Sequence, residues 1–533
     1  MRATSIGHAG ILVETTGGSI LCDPWFHPAF FGSWFPFPRN DQLDDDLIAR
    51  IESADLLYVS HLHGDHHDAP WLRRHLRRDI GVLLPDYPTD EQRRTMAELG
   101  FTEFIHTRDG VECEVLDGVR IAIHVETSIT DGPGGDSAIV IADATGRLVN
   151  QNDCRTTDLG ALAGHGPVDL HWLQYSGAIW YPMVYDLDPD EMQRQCAAKV
   201  DSQGSRAMRY VEAIDASAVV PSAGPPVFLD DDLAHLNMVT GDESSIFPDQ
   251  RWFHERLAAD GRNGIIAVPG TCIEVASPGT PATVTHPMSS DDIDAIFTDK
   301  STYLAQYRAD WEDWLVAERA AWPRPGTDLV ATLADWWEPL MRRAPTVCAG
   351  IGAPIALRAM VGHGADERAD VTIIVDPMSA RVFDTDDPAA ADLTPAFRFD
   401  IPRDLLECVV ADRAVDWSNS LLLSCRFRAW RAGPYNEFVY NFLKSLSIER
   451  MARTEAEARR RAAGADSDGE EIVIGPYTVQ RRCPHRDADL SIFGEIDGDD
   501  LVCTLHGWRF DVNTGACRTS KGHQVSIRRH DPS

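Results

Sequence analysis

The chain has 533 residues, with 83 Asp and Glu against 49 Lys and Arg, and so carries a net charge of −34 at neutral pH. That excess repels polyanions, which excludes nucleic acid and anionic membrane surfaces as partners and suits either a high-salt, acid-tolerant interior or a basic redox partner. No apolar run approaches the ~20 residues needed to span a bilayer, and the opening Met1–His8 lacks a signal-peptide pattern, so a cytoplasmic protein of up to three domains is expected. Apart from one pair near the C-terminus, the 11 cysteines are scattered without framework spacing, as in a reducing compartment.

In chain order, the first landmark is Ile6-Gly7-His8-Ala9-Gly10, followed by a strand-like run ending in Asp23-Pro24-Trp25. The apolar run Leu56–Val59 reads as a buried strand and opens into Ser60-His61-Leu62-His63-Gly64-Asp65-His66-His67-Asp68. Four ligand-type side chains on one loop can serve two metals, with His61 and His63 on one and Asp65 and His66 on the other. Downstream, Ala138–Ile141 and Arg147–Val149 read as strands and lead to Asn150-Gln151-Asn152-Asp153-Cys154.

These landmarks resemble the metallo-β-lactamase fold, and the opening hairpin is similar to that of UlaG-like lactonases. The resemblance implies an α/β chain with an αββα sandwich over residues 1–275 and Asp153 as the bridging aspartate. Hydrolytic members also carry a histidine on the strand before that aspartate, where this chain has Val119–Thr127. Either His124 or Glu126 is the candidate there, since alternate strand residues share a face. Glu126 is spaced from His61 and Asp153 as is the corresponding glutamate of the di-iron chloramphenicol-pathway β-hydroxylase, which makes Glu126 and Asp65 candidate catalytic residues and favours iron. Carboxylates are hard donors that stabilise Fe(III), whereas zinc has no redox chemistry. The last histidine of the family is missing near Val219–Pro225; His235 is the substitute on offer, with His171 a further histidine in the region, or else the second metal keeps an open position or is absent.

A Pro/Ser/Thr-rich passage at residues 277–290 reads as a linker, and a middle domain is expected over residues 290–450. Tyr303, Tyr307, Trp311, Trp314, Trp336 and Trp337 crowd two amphipathic helices, and Val371–Val375 and Ala396–Phe399 read as strands. This α+β segment loosely resembles a sterol-carrier domain. Within it, Arg426, Arg428 and Arg431 are placed to bind an anionic group, to dock another domain, or to form salt bridges. Residues 451–471 combine a charged helix with the flexible-looking Ala462–Glu470 as a second linker.

The last segment, residues 472–533, contains Cys483-Pro484-His485 and Cys503-Thr504-Leu505-His506. Two Cys and two His in this order are the donor set of a Rieske [2Fe–2S] cluster, which moves single electrons at a higher potential than an all-Cys cluster. The run Cys503–Asp511 resembles the second cluster loop of Rieske oxygenases, and a small all-β domain is expected around it. Zinc sites usually pair Cys with Cys and His with His at short spacing. Too little chain follows for a catalytic domain, so the site served by the cluster lies upstream.

The blocks Leu148–Arg155, Gln174–Ala178, Tyr181–Met183 and Pro221–Pro225 resemble CMP-N-acetylneuraminate hydroxylase, a family that combines the same two domain types in the opposite order. The resemblance implies an O₂-dependent monooxygenase fed by an external reductase or electron carrier, and does not carry the substrate over; joined to the candidate ligands above, a non-haem iron site of two irons is expected to hydroxylate or N-oxygenate a small polar substrate. Electron transfer between the sites would use the flexible linker, within one chain or in a homo-oligomer. The alternatives from other classes are a zinc hydrolase, lactonase or phosphodiesterase, with the Rieske domain as redox sensor, and a pure electron carrier.

Overall fold

The computed structural model describes residues 1–127, 135–241, 243–324, 328–362, 366–462, 470–485, 488–520 and 523–530. The chain forms two compact units, Met1–Ile179 with Pro189–Glu318, and Trp180–Asp188 with Arg319–Ser533.

The first unit contains β1 (Arg2–Gly7), β2 (Gly10–Thr15), β3 (Gly18–Cys22), β4 (Leu56–Tyr58), β5 (Gly81–Leu84), β6 (Glu103–His106) and β7 (Cys113–Leu116). It continues with β8 (Val119–Glu126), β9 (Asp136–Ala142), β10 (Arg147–Asn152), β11 (Leu170–Gln174), β12 (Ala218–Ser222), β13 (Cys272–Glu274) and β14 (Thr283–Thr285). These make two sheets, in the orders β14-β13-β1-β2-β3-β4-β5-β6 and β12-β11-β10-β9-β8-β7.

The period-two side-chain pattern explains the layering. Ile11 and Val13 of β2 meet Ile121, Ile123, Ile141 and Trp172 between the sheets. Their neighbour Leu12 faces outward onto Leu47, Ile51, Trp71 and Leu72 of the helices Asp45–Glu52 and Ala69–His75. On the far side, Ala122, Val140 and Val149 pack against Leu162 and Ile214 of the helices Leu159–Ala163 and Pro189–Ile214. This is the αββα sandwich of the metallo-β-lactamase fold.

The first unit runs on well past residue 275. The passage that reads as a linker by composition contains β14, which pairs with β13 and extends the first sheet. Beyond it, Tyr303, Tyr307, Trp311 and Trp314 pack on Phe35 and Phe37, so these aromatics are core.

The second unit has the sheet order β17-β16-β15-β18-β19, from β15 (Ile355–Val361), β16 (Arg368–Asp376), β17 (Arg381–Asp384), β18 (Phe397–Pro402) and β19 (Arg428–Arg431). Trp337 is buried against Trp417 and Phe442. The excursion Trp180–Asp188 lies against β19: Ala429 N donates to Val184 O (2.7 Å) and Asp186 N to Ala429 O (2.9 Å). Of the three arginines, Arg428 pairs with Glu367 at 2.7 Å, Arg426 is buried, and Arg431 sits over the rings of Tyr181, Tyr185 and Tyr435.

The C-terminal part carries β20 (Glu471–Ile474), β21 (Tyr477–Gln480), β22 (Gly494–Asp497), β23 (Asp500–Cys503), β24 (Trp508–Asp511) and β25 (Ile527–Arg529) in two three-stranded sheets. The expected flexible run 463–469 lies outside the described residues, after the helix Ile448–Ala462. This small domain is docked on the middle one by a Tyr435–Ser520 bridge and a 2.6 Å contact between His523 Nε2 and Glu437 Oε1. No helix among the described residues is long and apolar enough to cross a membrane.

A buried carboxylate fastens two helices of the middle domain. Glu455 accepts from Thr346 N (3.0 Å) and Val347 N (3.1 Å) at the start of the helix Pro345–Ile351, and from Arg459 Nε (2.7 Å). Burial opposes its ionisation, but these donors outweigh it and hold the carboxyl below its ordinary range. Its contribution is therefore complete above the unfolded pKa of about 4.3 and is lost as pH falls through the lower folded value. Glu455→Ala should cost about 1–3 kcal/mol at pH 7 by denaturant unfolding, with the deficit shrinking below pH ~4; an equal deficit at every pH would contradict this.

Candidate metal centre and iron–sulfur site

The loop after β4 is held from several directions. Ser60 N donates to Asp23 Oδ1 (2.7 Å), and Ser60 O accepts from Ser137 Oγ (2.8 Å) and Tyr87 OH. Asp68 ends the loop as a helix cap, accepting from Trp71 N at 3.0 Å, and also from Phe26 N and His27 N. His66 N and His67 N both donate to His63 O, so the imidazoles are set on a tight turn.

Among the described residues, two groups of side chains could each hold a metal ion: His61, His63 and Asp153, and His8, Asp65 and His66. His61 Nε2 lies 2.7 Å from His63 Nδ1, and His8 Nε2 lies 3.0 Å from Asp65 Oδ2. Asp153 at the end of β10 faces both groups, with Oδ2 3.8 Å from His61 Nε2 and Oδ1 3.5 Å from His66 Nε2. The structure thus brings His61 beside His63 and Asp65 beside His66, with Asp153 facing both pairs.

The donor chemistry fits metal. His63 Nε2, His66 Nε2 and Asp153 Oδ1 are buried without a hydrogen-bond partner, an arrangement that is costly unless something pairs with them. Burial opposes charge on His61, but Asp136 and Asp153 outweigh it and hold the imidazole up at about 9. His66 is raised by Asp153, Asp65 and Asp23 against the same burial term. Burial and the neighbouring His61 push His63 down. Asp65 stays ionised despite burial because His66, His8 and His63 surround it. The neighbouring carboxylates thus favour protonated His61 and His66 where a cation would sit, and a bound metal would displace those protons.

Four candidates fall outside this site. Neither Glu126 nor His124 belongs to either group. Both share the alternation of Ala122, whose face packs on the outer helices, and His124 Nε2 meets His165 Nε2 at 2.7 Å. Asp136, opposite Glu126 on β9, approaches His61 instead, with Oδ1 3.3 Å from Nδ1. His235 is exposed on the short 3-10 turn Ala234–Leu236 and also lies in neither group. His171 is buried and pushed down to about 3 by burial, with Nε2 3.0 Å from Gln151 Oε1, so it is a neutral core histidine.

His8 is the candidate ligand that sequence reasoning missed, having treated its motif only as a fold landmark. The signal was a histidine at a hairpin tip between two glycines. His8 has φ 52 and its preceding Gly7 has φ 108, and β1 and β2 close on each other through Gly7 and Gly10. Asp23 (φ 42) and Asn152 (φ 43) share this left-handed geometry at the ends of β3 and β10. Such strain gathers where side chains must be aimed at a site.

In the C-terminal domain, Cys483 follows β21 and Cys503 ends β23. Both cysteines are fully buried, and the rings of His485 and His506 stand 4.8 Å apart at 88°. Burial, then the facing Cys503, pushes the Cys483 thiol well up, a penalty that bound iron removes by stabilising thiolate. Gly507, with φ 75, lets the second loop turn back into β24. Trp508 stacks on His485 at 4.0 Å and meets His523 at 4.8 Å, and His523 leads to Glu437.

Two cysteines and two histidines on facing loops of a small double-sheet domain define a Rieske iron–sulfur protein. Residues 456–527 match the Rieske [2Fe-2S] domain family, and residues 329–460 match the Rv3818-like, SCP2-like domain. The Rieske 2Fe-2S iron-sulfur protein of Mycolicibacterium smegmatis is 42% identical over 99% of this chain and 100% of its own length, and the chain belongs to that family. The CMP-N-acetylneuraminic acid hydroxylase of Mus musculus is 26% identical, over 35% of this chain and 32% of its own. Among solved structures, a metallo hydrolase from Ignicoccus hospitalis covers 54% of this chain and 99% of its own, with a TM-score of 0.36 and 15% identity.

Two measurements follow from these geometries. Metal analysis of purified variants should show His63→Ala and Asp153→Asn losing metal from the N-terminal groups, and His8→Ala lowering affinity about 10–100-fold, while Glu126→Ala retains full occupancy. A metal lost only in Glu126→Ala would reverse the assignment. Replacing His485 or His506 with Cys should leave a cluster of lower potential, since thiolate adds negative charge that imidazole does not. Unchanged spectra and potential in both variants would remove them as ligands.

Proposed function

We propose that the protein is an O₂-dependent monooxygenase in which an external reductase or electron carrier reduces the C-terminal Rieske cluster, and in which a non-haem iron centre in the metallo-β-lactamase-fold domain acts on a small polar substrate. The observation that carries this reading is the presence, in one chain, of a one-electron cluster site and a buried histidine–aspartate group with room for metal. The partial likeness to CMP-N-acetylneuraminic acid hydroxylase supports oxygenation as the chemistry. A redox-inert metal would give the fused electron carrier nothing to serve.

In this reading His61, His63 and Asp153 hold one iron and His8, Asp65 and His66 the other, with Asp153 between them. Iron bound there supplies one-electron redox chemistry and O₂ activation. The protein's own contribution is positional: Asp23 fixes His66 through Nδ1 at 3.2 Å, and Ser60 Oγ lies 3.0 Å from His61 Nδ1. Each contact leaves the opposite ring nitrogen facing the site.

The second reading is a zinc hydrolase with a redox-sensing Rieske domain, favoured by the histidine-rich first group and by the exclusion of Glu126 from both. Metal analysis separates the two, since the oxygenase requires iron beyond the two atoms of the cluster and the hydrolase requires zinc. The decisive measurement is anaerobic reduction of the iron-loaded protein, then exposure to O₂ with candidate substrates. Mass spectrometry should detect one added oxygen atom derived from ¹⁸O₂. Oxygen derived from water, or turnover with zinc alone, would establish hydrolysis instead.

A further inference from the structure

The helix Glu437–Leu443 opens on a carboxylate that is hidden from water. Glu437 is only 2% exposed, and a carboxylate taken out of water is costly unless charges or donors are brought to it. Its Oε1 lies 2.6 Å from His523 Nε2 of the cluster domain, while its Oε2 faces Arg461 Nη1 at 3.7 Å without a hydrogen bond. Exposed side chains at a rim would suffice to fasten two domains. This contact is buried instead, and breaking it strands a carboxylate.

The contact continues toward the cluster loops. The backbone of His523 is itself held, because its carbonyl accepts from Cys517 N at 2.9 Å and Cys517 bridges to Phe510 on β24. The His523 ring stands at 73° to the indole of Trp508, with 4.8 Å between centroids. The same indole lies nearly parallel to the ring of His485, at 4.0 Å and 12°, and both Trp508 and His485 are buried. Carboxylate, imidazole, indole and candidate ligand imidazole thus form an unbroken row from the middle domain to the cluster loops.

We infer that Glu437 and His523 are positioning residues for the iron–sulfur cluster: the carboxylate fixes His523, His523 fixes Trp508, and Trp508 sets the plane of His485 and keeps water from it. Outer contacts of this kind orient metal-binding imidazoles, and the shell around an iron–sulfur cluster sets its potential through charge and solvent access. The direction follows from charge. Reduction adds a negative charge, which a nearby carboxylate and a dry surrounding both disfavour. The intact row therefore keeps the potential low, and releasing it raises the potential. The inference rests on the cluster reading of the C-terminal domain and is independent of the oxygenase reading.

The test is made on the full, cluster-loaded chain. Spectroelectrochemical titration gives the midpoint potential, and pulsed EPR of the reduced cluster reads the couplings of the ligand imidazole nitrogens. Glu437→Ala and His523→Ala should each raise the potential and change the coupling of one imidazole. Glu437→Gln keeps an acceptor for His523 and loses only the charge, so it should raise the potential by less and retain the wild-type couplings. Where an alanine variant holds no cluster, Glu437→Asp decides, since its carboxylate falls one methylene short of His523 and should shift potential and coupling in the same direction. Wild-type potential and couplings in the alanine variants, or in Glu437→Asp in their place, would overturn the proposal. So would a raised potential with unchanged couplings in Glu437→Ala, because the carboxylate would then act as a bare charge. Neither failure touches the oxygen-incorporation experiment.

Discussion

Burying several imidazoles and carboxylates together at one edge of a two-sheet core is the constraint on which the N-terminal unit turns. Each such group is expensive to remove from water alone. The arrangement is tolerable because signs alternate: His8 against Asp65, His66 between Asp23 and Asp153, and His61 between Asp136 and Asp153. The left-handed conformations of His8, Asp23 and Asn152 are the backbone side of the same arrangement. They exist to aim side chains from three different strands at one volume.

The candidate metal loop was legible because its donor-type side chains are local. Four donor-type side chains between His61 and His66 need no knowledge of tertiary structure. The cluster domain was legible for the same reason, since each of its loops brings its own Cys and His. Asp153 came from the metallo-β-lactamase resemblance, since it lies far from the loop in sequence.

What the sequence concealed was facing. Period-two alternation says that His124 and Glu126 share a face, but not which face meets the metal. Nor does facing alone decide it at the strand ends, since Asp136, paired with Glu126, approaches His61 while Glu126 belongs to neither group. His8 was hidden by the opposite problem: one histidine at a hairpin has no periodic context, and only the fold carries it to Asp65. Composition likewise misled at residues 277–290, where a polar strand at a sheet edge looks like a linker. The aromatics of the helix Lys300–Ala321, expected in a middle domain, complete a core that belongs to the first unit.

The path of the chain has a consequence for how the two units are tied together. The polypeptide passes between the units at residues 179–180, 188–189 and 318–319, and the cluster domain is in turn pinned to its neighbour through Tyr435, Ser520, Glu437 and His523. A module on one flexible tether explores a sphere set by tether length, and its encounter rate falls as the tether grows. Three crossings replace that single tether, and two of them bound the excursion Trp180–Asp188, which is itself paired with β19.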